Sequence, residues 1–287
     1  MNAIVDITDH QRILYQHNEM TQGDAGAYSA HRTHLTSAII DCAPKNATSL
    51  CLLGAGNCND VSLPRLLELF QQIHLVDIDE EALGRARKGL SKLEKTRVIA
   101  HDSVDLSGLF KNFSDKIPSA PAAPEELAHE ISVNVLGSQL GRHEVVVSCC
   151  LMSQLDRTLI DVLEGRKRAN PALESYREGV MLGQLRIMTE LLAPGGVGII
   201  ANDLLGSGQV DLDSIHERGD LAEFTKQAIL HRRCDPSVDP VRIRQLLRRD
   251  PILKRASHEV KTVGTWLWTV THKEKYLVQA LRFRKVE

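Results

Sequence analysis

The stretch from Ser49 to Asp79 constrains this chain more than any other. Leu50 to Leu53 is an apolar run long enough for a buried strand, and Gly54-Ala55-Gly56 breaks it sharply. Glycine takes positive φ without a Cβ penalty, so the backbone can turn tightly there and a ligand can approach it. Asn57, Asn59 and Asp60 suit a turn and a helix cap. Apolar residues from Val61 to Phe70 recur at helical spacing, and Ile73 to Val76 reads as a second strand with Asp77 at its carboxyl end. An acid about 20 residues beyond a glycine turn can bind the hydroxyls of a ribose. The stretch is a candidate nucleoside-cofactor site, built as strand, turn, helix and strand.

The alternation continues downstream. Asp79 to Leu90 starts with an N-cap acid, Glu80 and Glu81, and carries Arg85, Arg87 and Lys88 towards its end, which suits a helix and its dipole. Arg97 to Ala100 predicts a third strand and Glu125 to Gln139 a helix. Glu144 to Cys150 predicts a fourth strand, apolar through its middle as central parallel strands are. Leu173 to Leu192 is a long helix ended by Pro194-Gly195-Gly196, and Val197 to Ala201 a fifth strand. Such alternation implies a parallel sheet with helices on both faces. His258 to Val270 and Tyr276 to Phe283 add a terminal hairpin. Before the first strand, a helix around Ile13 to Tyr15 and a second from Tyr28 to Cys42 are expected. The division expected is an N-terminal helical cap over 1–48 and an α/β domain over 49–287, with a helical insertion at about 204–257 and a surface loop over 111–124.

Ligands of open parallel sheets sit beyond the carboxyl ends of the strands. That rule gathers Gly54 to Cys58, Asp77, Asp102, Ser148 to Gln154 and Asn202-Asp203 on one edge. The formal net charge of −2 gives no global pull towards nucleic acid or membrane, and 4% aromatic residues leave little for base stacking. Arg and Lys outnumber acids between His231 and Ala256, which reads first as a solvated helix face and second as a wall for an acidic partner. The six cysteines form no CxxC pair and read as small buried hydrophobes. His31 and His34 could share a helix face, but no third ligand is evident, so no metal is expected. No run approaches the length of a membrane span and the first residues form no apolar signal core, so a cytoplasmic protein is the expectation.

Two nucleoside cofactors fit a glycine turn plus an acid. A dinucleotide needs GxGxxG, and the last glycine position here is Asn59. S-adenosylmethionine has no pyrophosphate and needs only the turn, a ribose acid and a polar group for the adenine. The chain resembles the class I S-adenosylmethionine-dependent methyltransferases over roughly Ser49 to Ala201 plus Lys261 to Arg284. CLLGAGNC resembles the first motif through Gly54 and Gly56, VDIDEEALGRAR the second strand and helix, and AHDSVDL the third motif. VVVSCCLMSQL resembles the fourth strand and LLAPGGVGII the approach to the fifth. WLWTV and YLVQALRF resemble the last two strands. The family's motif acid falls on Leu52 and its third glycine on Cys58. The asparagine-proline tetrapeptide of many amino-methyltransferases is absent, with SCCL in its place.

The resemblance implies an α/β fold, a doubly wound, mostly parallel seven-stranded sheet with helices on both faces and the last strand antiparallel. It implies S-adenosylmethionine as cofactor and methyl transfer to a small-molecule acceptor by in-line displacement. The cofactor residues expected are Gly54, Ala55, Gly56, Asn57, Asn59, Asp77, Ile78, Asp102, Ser103, Ser148 and Cys149. Asp77 would hold the ribose, Asp102 the adenine amino group, and Asn57, Asn59 or Asp60 the methionine end. Asp203, His31 and Tyr28 are the candidate catalytic residues, and Tyr15, His17, Gln154 and Asn202 the candidate substrate contacts. Alternatives are cofactor binding without methyl transfer, aminopropyl transfer, nucleic-acid methylation through the basic segment, and a nicotinamide-dependent oxidoreductase. The partner expected is a small-molecule acceptor, with no membrane, nucleic acid disfavoured and a homodimer left open.

Overall fold

The computed structural model describes residues 7–23, 26–108, 123–136, 140–155, 173–217, 219–271 and 273–286. Its strands are β1 (Ser49–Leu53), β2 (Gln72–Val76), β3 (Val98–His101), β4 (His143–Cys149), β5 (Leu192–Gly206), β6 (Ser257–Thr269) and β7 (Lys275–Lys285). They form one sheet in the order β3-β2-β1-β4-β5-β7-β6. β1 to β5 run parallel, and β7 pairs antiparallel with both β5 and β6. This is the α/β architecture expected from the sequence.

Period-two alternation splits the sheet between two cores. Cys51, Leu53 and Val146 face one side, and Leu50, Leu52, Val145 and Val147 the other. The first side is covered by α6 (Pro124–Leu136) and α7 (Leu173–Leu191), with α10 (Pro240–Arg249) and α11 (Pro251–Ala256) beyond them. The second is covered by α2 (Ser29–Cys42), α3 (Leu63–Leu69) and α4 (Glu80–Arg87). Leu50, Leu52 and Leu53 are fully buried, each contributing about 1.5–3 kcal/mol of hydrophobic stabilisation. The central strands read as apolar runs for this reason.

Several boundaries differ from the expectation. α3 begins only at Leu63, where Pro64 supplies a residue without the amide hydrogen that a first turn cannot use. A further helix, α5 (Lys92–Arg97), fills the connection to β3, held by a capping box between Ser91 and Glu94. The third strand accordingly starts at Val98. β5 runs past Ala201 to Gly206 because β7 continues to pair with it as far as Tyr276. The helix expected in the insertion divides into α8 (Leu212–Glu217) and α9 (Leu221–Leu230), with Gly219 at φ +72° between them. The loop expected at 111–124 lies almost wholly outside the described residues, as does the helical region after Leu155.

The two helices before β1 have different surroundings. α2 buries Leu35 and Ile39 in the sheet core. α1 (Ile7–Met20) instead lies over the carboxyl ends of β1 and β2, tied there by side-chain amides. The basic segment is drawn into structure. Arg242 pairs with Glu174 at 3.0 Å and Glu178 at 3.2 Å, fastening α10 to α7, and Arg244 donates to Thr262. Among the described residues no helix is long and apolar enough to cross a membrane.

Candidate functional site

A cleft of about 970 Å³, including its open mouth, lies at the carboxyl ends of β1, β2 and β4. Its floor is the turn Gly54 to Asn57. Gly54 has φ +68°, and a Cβ there would stand 2.8 Å from Leu151 Cδ1. Gly56 has φ +46°, and its Cβ would meet Asn18 Oδ1 at 3.1 Å. Three non-glycine residues also take the left-handed region just beyond strand ends: Cys58 after β1, Ser103 after β3 and Cys150 after β4. Such strain persists only where the surroundings over-determine it, and it concentrates at functional sites.

Asp77 organises the floor. Its Oδ2 accepts the Gly56 amide at 2.8 Å, and its Oδ1 accepts the Asp79 amide at 3.0 Å. Burial pushes this carboxyl above its ordinary range, and the two amide bonds pull the other way. Asp79 caps α4 by accepting the Ala82 amide, and its second oxygen accepts from Asn18 Nδ2 at 3.0 Å. The far wall is the turn after β3. There Asp105 Oδ1 accepts the amides of Ser107 and Gly108 at 2.9 and 3.0 Å. Asp60, Asp77 and Asp105 all line the cleft, and among the described lining residues there is neither lysine nor arginine. The cleft therefore favours a cationic ligand.

α1 forms the roof through Leu14, His17, Asn18 and Thr21. Asn57 Nδ2 donates to the Asn18 carbonyl at 2.6 Å, and Asn59 Nδ2 donates to the Thr21 carbonyl at 2.9 Å. Arg85 Nε donates to Asn57 Oδ1 at 2.8 Å. These bonds cap the carboxyl end of α1, whose last carbonyls have no partner within the helix. Both asparagines line the cleft, yet their amides hold the roof.

The corner opposite Asp77 is aromatic. His31 is fully buried and is the hub of it. Trp266 Nε1 donates to His31 Nδ1 at 3.0 Å, which leaves the proton on Nε2, and Nε2 stands 3.1 Å from Asp60 Oδ1. Trp268 stacks on the imidazole, with centroids 4.5 Å apart at 28°. Tyr28 meets it edge-on at 6.5 Å and lies 5.0 Å from Trp268. Tyr28, Trp268 and Asp60 face the cleft, whereas His31 stays behind them.

Of the residues expected from sequence, the cleft is lined by Gly54, Ala55, Gly56, Asn57, Asn59, Asp77, Ile78, Tyr28, His17 and Gln154. The others stand elsewhere. Asp102 and Ser103 are exposed, and Val104 to Ser107 take the lining position instead. Ser148, Cys149 and Asn202 are buried in the sheet. Tyr15 lies outside and donates to the Ile78 carbonyl at 3.4 Å. His31 is fully buried and is not among the residues that line the cleft. Asp203 lies beneath Cys150. It accepts Ser153 Oγ at 2.6 Å, and burial above all lifts its carboxyl to about 6.

The sequence places Leu151 on the ligand edge of the sheet, but it does not mark Leu14, Asn18, Thr21, Leu155 or Trp268 as cleft residues. Nothing local marks the α1 residues, since tertiary packing alone brings them over the turn. Trp268 carried a signal, because it alternates with Trp266 near the carboxyl end of a strand.

No protein-family model matches the chain, and no curated protein matches it. Among solved structures, the N-methyltransferase NodS from Bradyrhizobium japonicum WM9 is similar over 91% of this chain and 98% of its own, at 13% identity and a TM-score of 0.42. The same protein in complex with S-adenosyl-L-homocysteine is similar over 96% and 99%, at 12% identity and a TM-score of 0.45. An rRNA methylase from Streptococcus thermophilus is similar over 88% and 95%, at 12% identity and a TM-score of 0.35. With TM-scores below 0.5, these likenesses carry no argument about the chemistry of this chain.

Proposed function

We propose that this chain transfers a methyl group from S-adenosylmethionine to a small-molecule acceptor. The observation that carries the reading is the pairing of the Gly54–Asn57 turn with Asp77 in a cleft lined by carboxylates and, among the described residues, by neither lysine nor arginine. A pyrophosphate needs free backbone amides and positive charge at such a turn. Here the Gly56 amide already donates to a carboxylate. The site suits a sulfonium nucleoside and repels a dinucleotide. The same charge balance disfavours a phosphate-backed nucleic-acid acceptor, and the basic segment over 231–256 contributes nothing to the lining.

The residues present fit the cofactor. A carboxylate offers about four lone-pair sites, and amide donors take two of those on Asp77, leaving others for ribose hydroxyls. The Gly54–Asn57 backbone would face the methionine end, and the Val104–Ser107 turn the adenine. When bound, S-adenosylmethionine supplies an electrophilic methyl, which an acceptor lone pair takes in line while the carbon–sulfur electrons return to sulfur. The protein's part is positioning, which can lower such a barrier by up to about 7–11 kcal/mol. α1 acts as a roof, with Leu14 excluding water above and Leu151 and Leu155 beside the turn. The test is calorimetry with S-adenosylmethionine, S-adenosylhomocysteine and a nicotinamide dinucleotide. Binding of the two sulfur nucleosides alone is expected, and folded protein that binds neither of them overturns the proposal.

A further inference from the structure

Resting on that reading, we propose that Tyr28, Trp268 and Asp60 form an ammonium-binding corner and that the methyl acceptor is a small organic amine. The corner combines two aromatic rings, 5.0 Å between centroids, with a carboxylate, and all three line the cleft. A cation is drawn to the negative face of an aromatic ring, and tryptophan is the strongest such partner. A carboxylate beside the rings adds a charge-assisted hydrogen bond. An anionic ligand gains neither, and a neutral hydroxyl gains only the hydrogen bond.

The corner is held before any ligand arrives. His31 is fully buried and touches all three walls: it stacks on Trp268, meets Tyr28 edge-on, and places Nε2 3.1 Å from Asp60 Oδ1, close enough for an ionic contact though not aligned as a hydrogen bond. Trp266 fixes the imidazole tautomer from behind. His31 is thus a positioning residue, and Asp60 keeps its second oxygen for the cleft. The location suits an acceptor subsite. Asp77 and the Gly54–Asn57 turn occupy the β1–β2 side, and Trp268 comes from β6 at the far edge of the sheet. An amine nitrogen must release a proton to water before its lone pair can attack. The corner's task is therefore to recruit and orient, with deprotonation following.

The chain's two tryptophans are Trp266 and Trp268, so intrinsic fluorescence reports this corner alone. Protein saturated with S-adenosylhomocysteine is titrated with benzylamine, benzyl alcohol and benzoate, and then with butylamine, butanol and butyrate. The amines are expected to shift the emission saturably and to bind at least about tenfold more tightly than their matched alcohol or carboxylate. Asp60→Asn should reduce that preference at least about threefold, leaving the part owed to the rings, while S-adenosylhomocysteine affinity, read by calorimetry, stays within about threefold. Trp268→Leu should weaken amine binding with Trp266 left as reporter. Equal binding of the neutral or anionic partners overturns the proposal, and so does the lack of a saturable shift with any of the six. If Asp60→Asn weakens S-adenosylhomocysteine as much as it weakens the amines, Asp60 belongs to the cofactor and the proposal falls. Failure of S-adenosylhomocysteine itself to bind removes the methyl-transfer reading. The amine preference is then read from the same titrations without it, and stands or falls there.

Discussion

Gly56 donates its amide hydrogen to the Asp77 carboxylate over 2.8 Å, so the acid that ends β2 also holds the turn that ends β1. Removing that carboxylate should do two things at once. Asp77→Ala leaves the half-buried Gly56 amide and the buried Asp79 amide without their acceptor, at a cost of up to about 1–3 kcal/mol each. It should also weaken S-adenosylhomocysteine binding by roughly 30-fold or more, about 2 kcal/mol. Asp77→Asn keeps one acceptor oxygen and should fall between. Chemical denaturation and calorimetry on the two variants separate the structural loss from the binding loss.

Gly54→Ala should destabilise the fold by about 1–3 kcal/mol, because a Cβ at φ +68° is strained and also meets Leu151 at 2.8 Å. Gly208→Ala is the control. Its Cβ has nothing within 4 Å, and the change should stay within about 0.5 kcal/mol. Thermal melting of the pair checks this. A Gly54 variant as stable as the Gly208 variant would contradict the packing described for the turn.

Asp203 and His74 should tilt the pH dependence of stability in opposite directions. Burial lifts the Asp203 carboxyl to about 6 from 3.8. Between those values the folded chain holds a proton that the unfolded chain has lost, so this group's contribution falls as pH rises. Burial, with the nearby His143 and His101, lowers His74 to about 4 from 6.5. The unfolded chain then binds the extra proton, and stability falls as pH drops through that window. The wild type should therefore show a shallow profile from pH 4 to 6. Asp203→Asn should gain about 3 kcal/mol over wild type above pH 6 and nothing below pH 4. His74→Phe should lose the acid-side decline. Parallel profiles for all three proteins would refute the assignment.

α1 should come away from the cleft before the sheet opens. Among the described side chains it is tied down by Asn57, Asn59 and the Asn18–Asp79 bond. Asn57→Ala should speed amide exchange across 14–20 by about fivefold or more while exchange in β1 and β4 stays unchanged. Equal acceleration in the strands would mean that α1 belongs to the core.

The comparison between sequence and structure divides along a physical line. The Gly54 turn, the strand ends and Asp77 were legible because backbone conformation and period-two burial are local properties. The capping box at Ser91 and Glu94 was equally local, and α5 was still passed over. Partners of side chains were not legible. Asn57 and Asn59 were expected on the cofactor, but their amides bond carbonyls 39 and 38 positions upstream. His31 was expected to act on substrate, yet two tryptophans from β6 seal it in. Asp102 carried the motif position, while the turn past it, from Val104 to Ser107, reaches the cleft.

His31 and Trp266 are 235 positions apart. A growing chain can therefore shape the glycine turn as soon as β1, β2 and β4 have left the ribosome, yet the aromatic corner has to wait for β6. The 235 positions after His31 must be made before it finds the indole that fixes its tautomer. The floor of the cleft can precede its aromatic wall during synthesis, and the order of manufacture itself delays a complete site until the final strands pair.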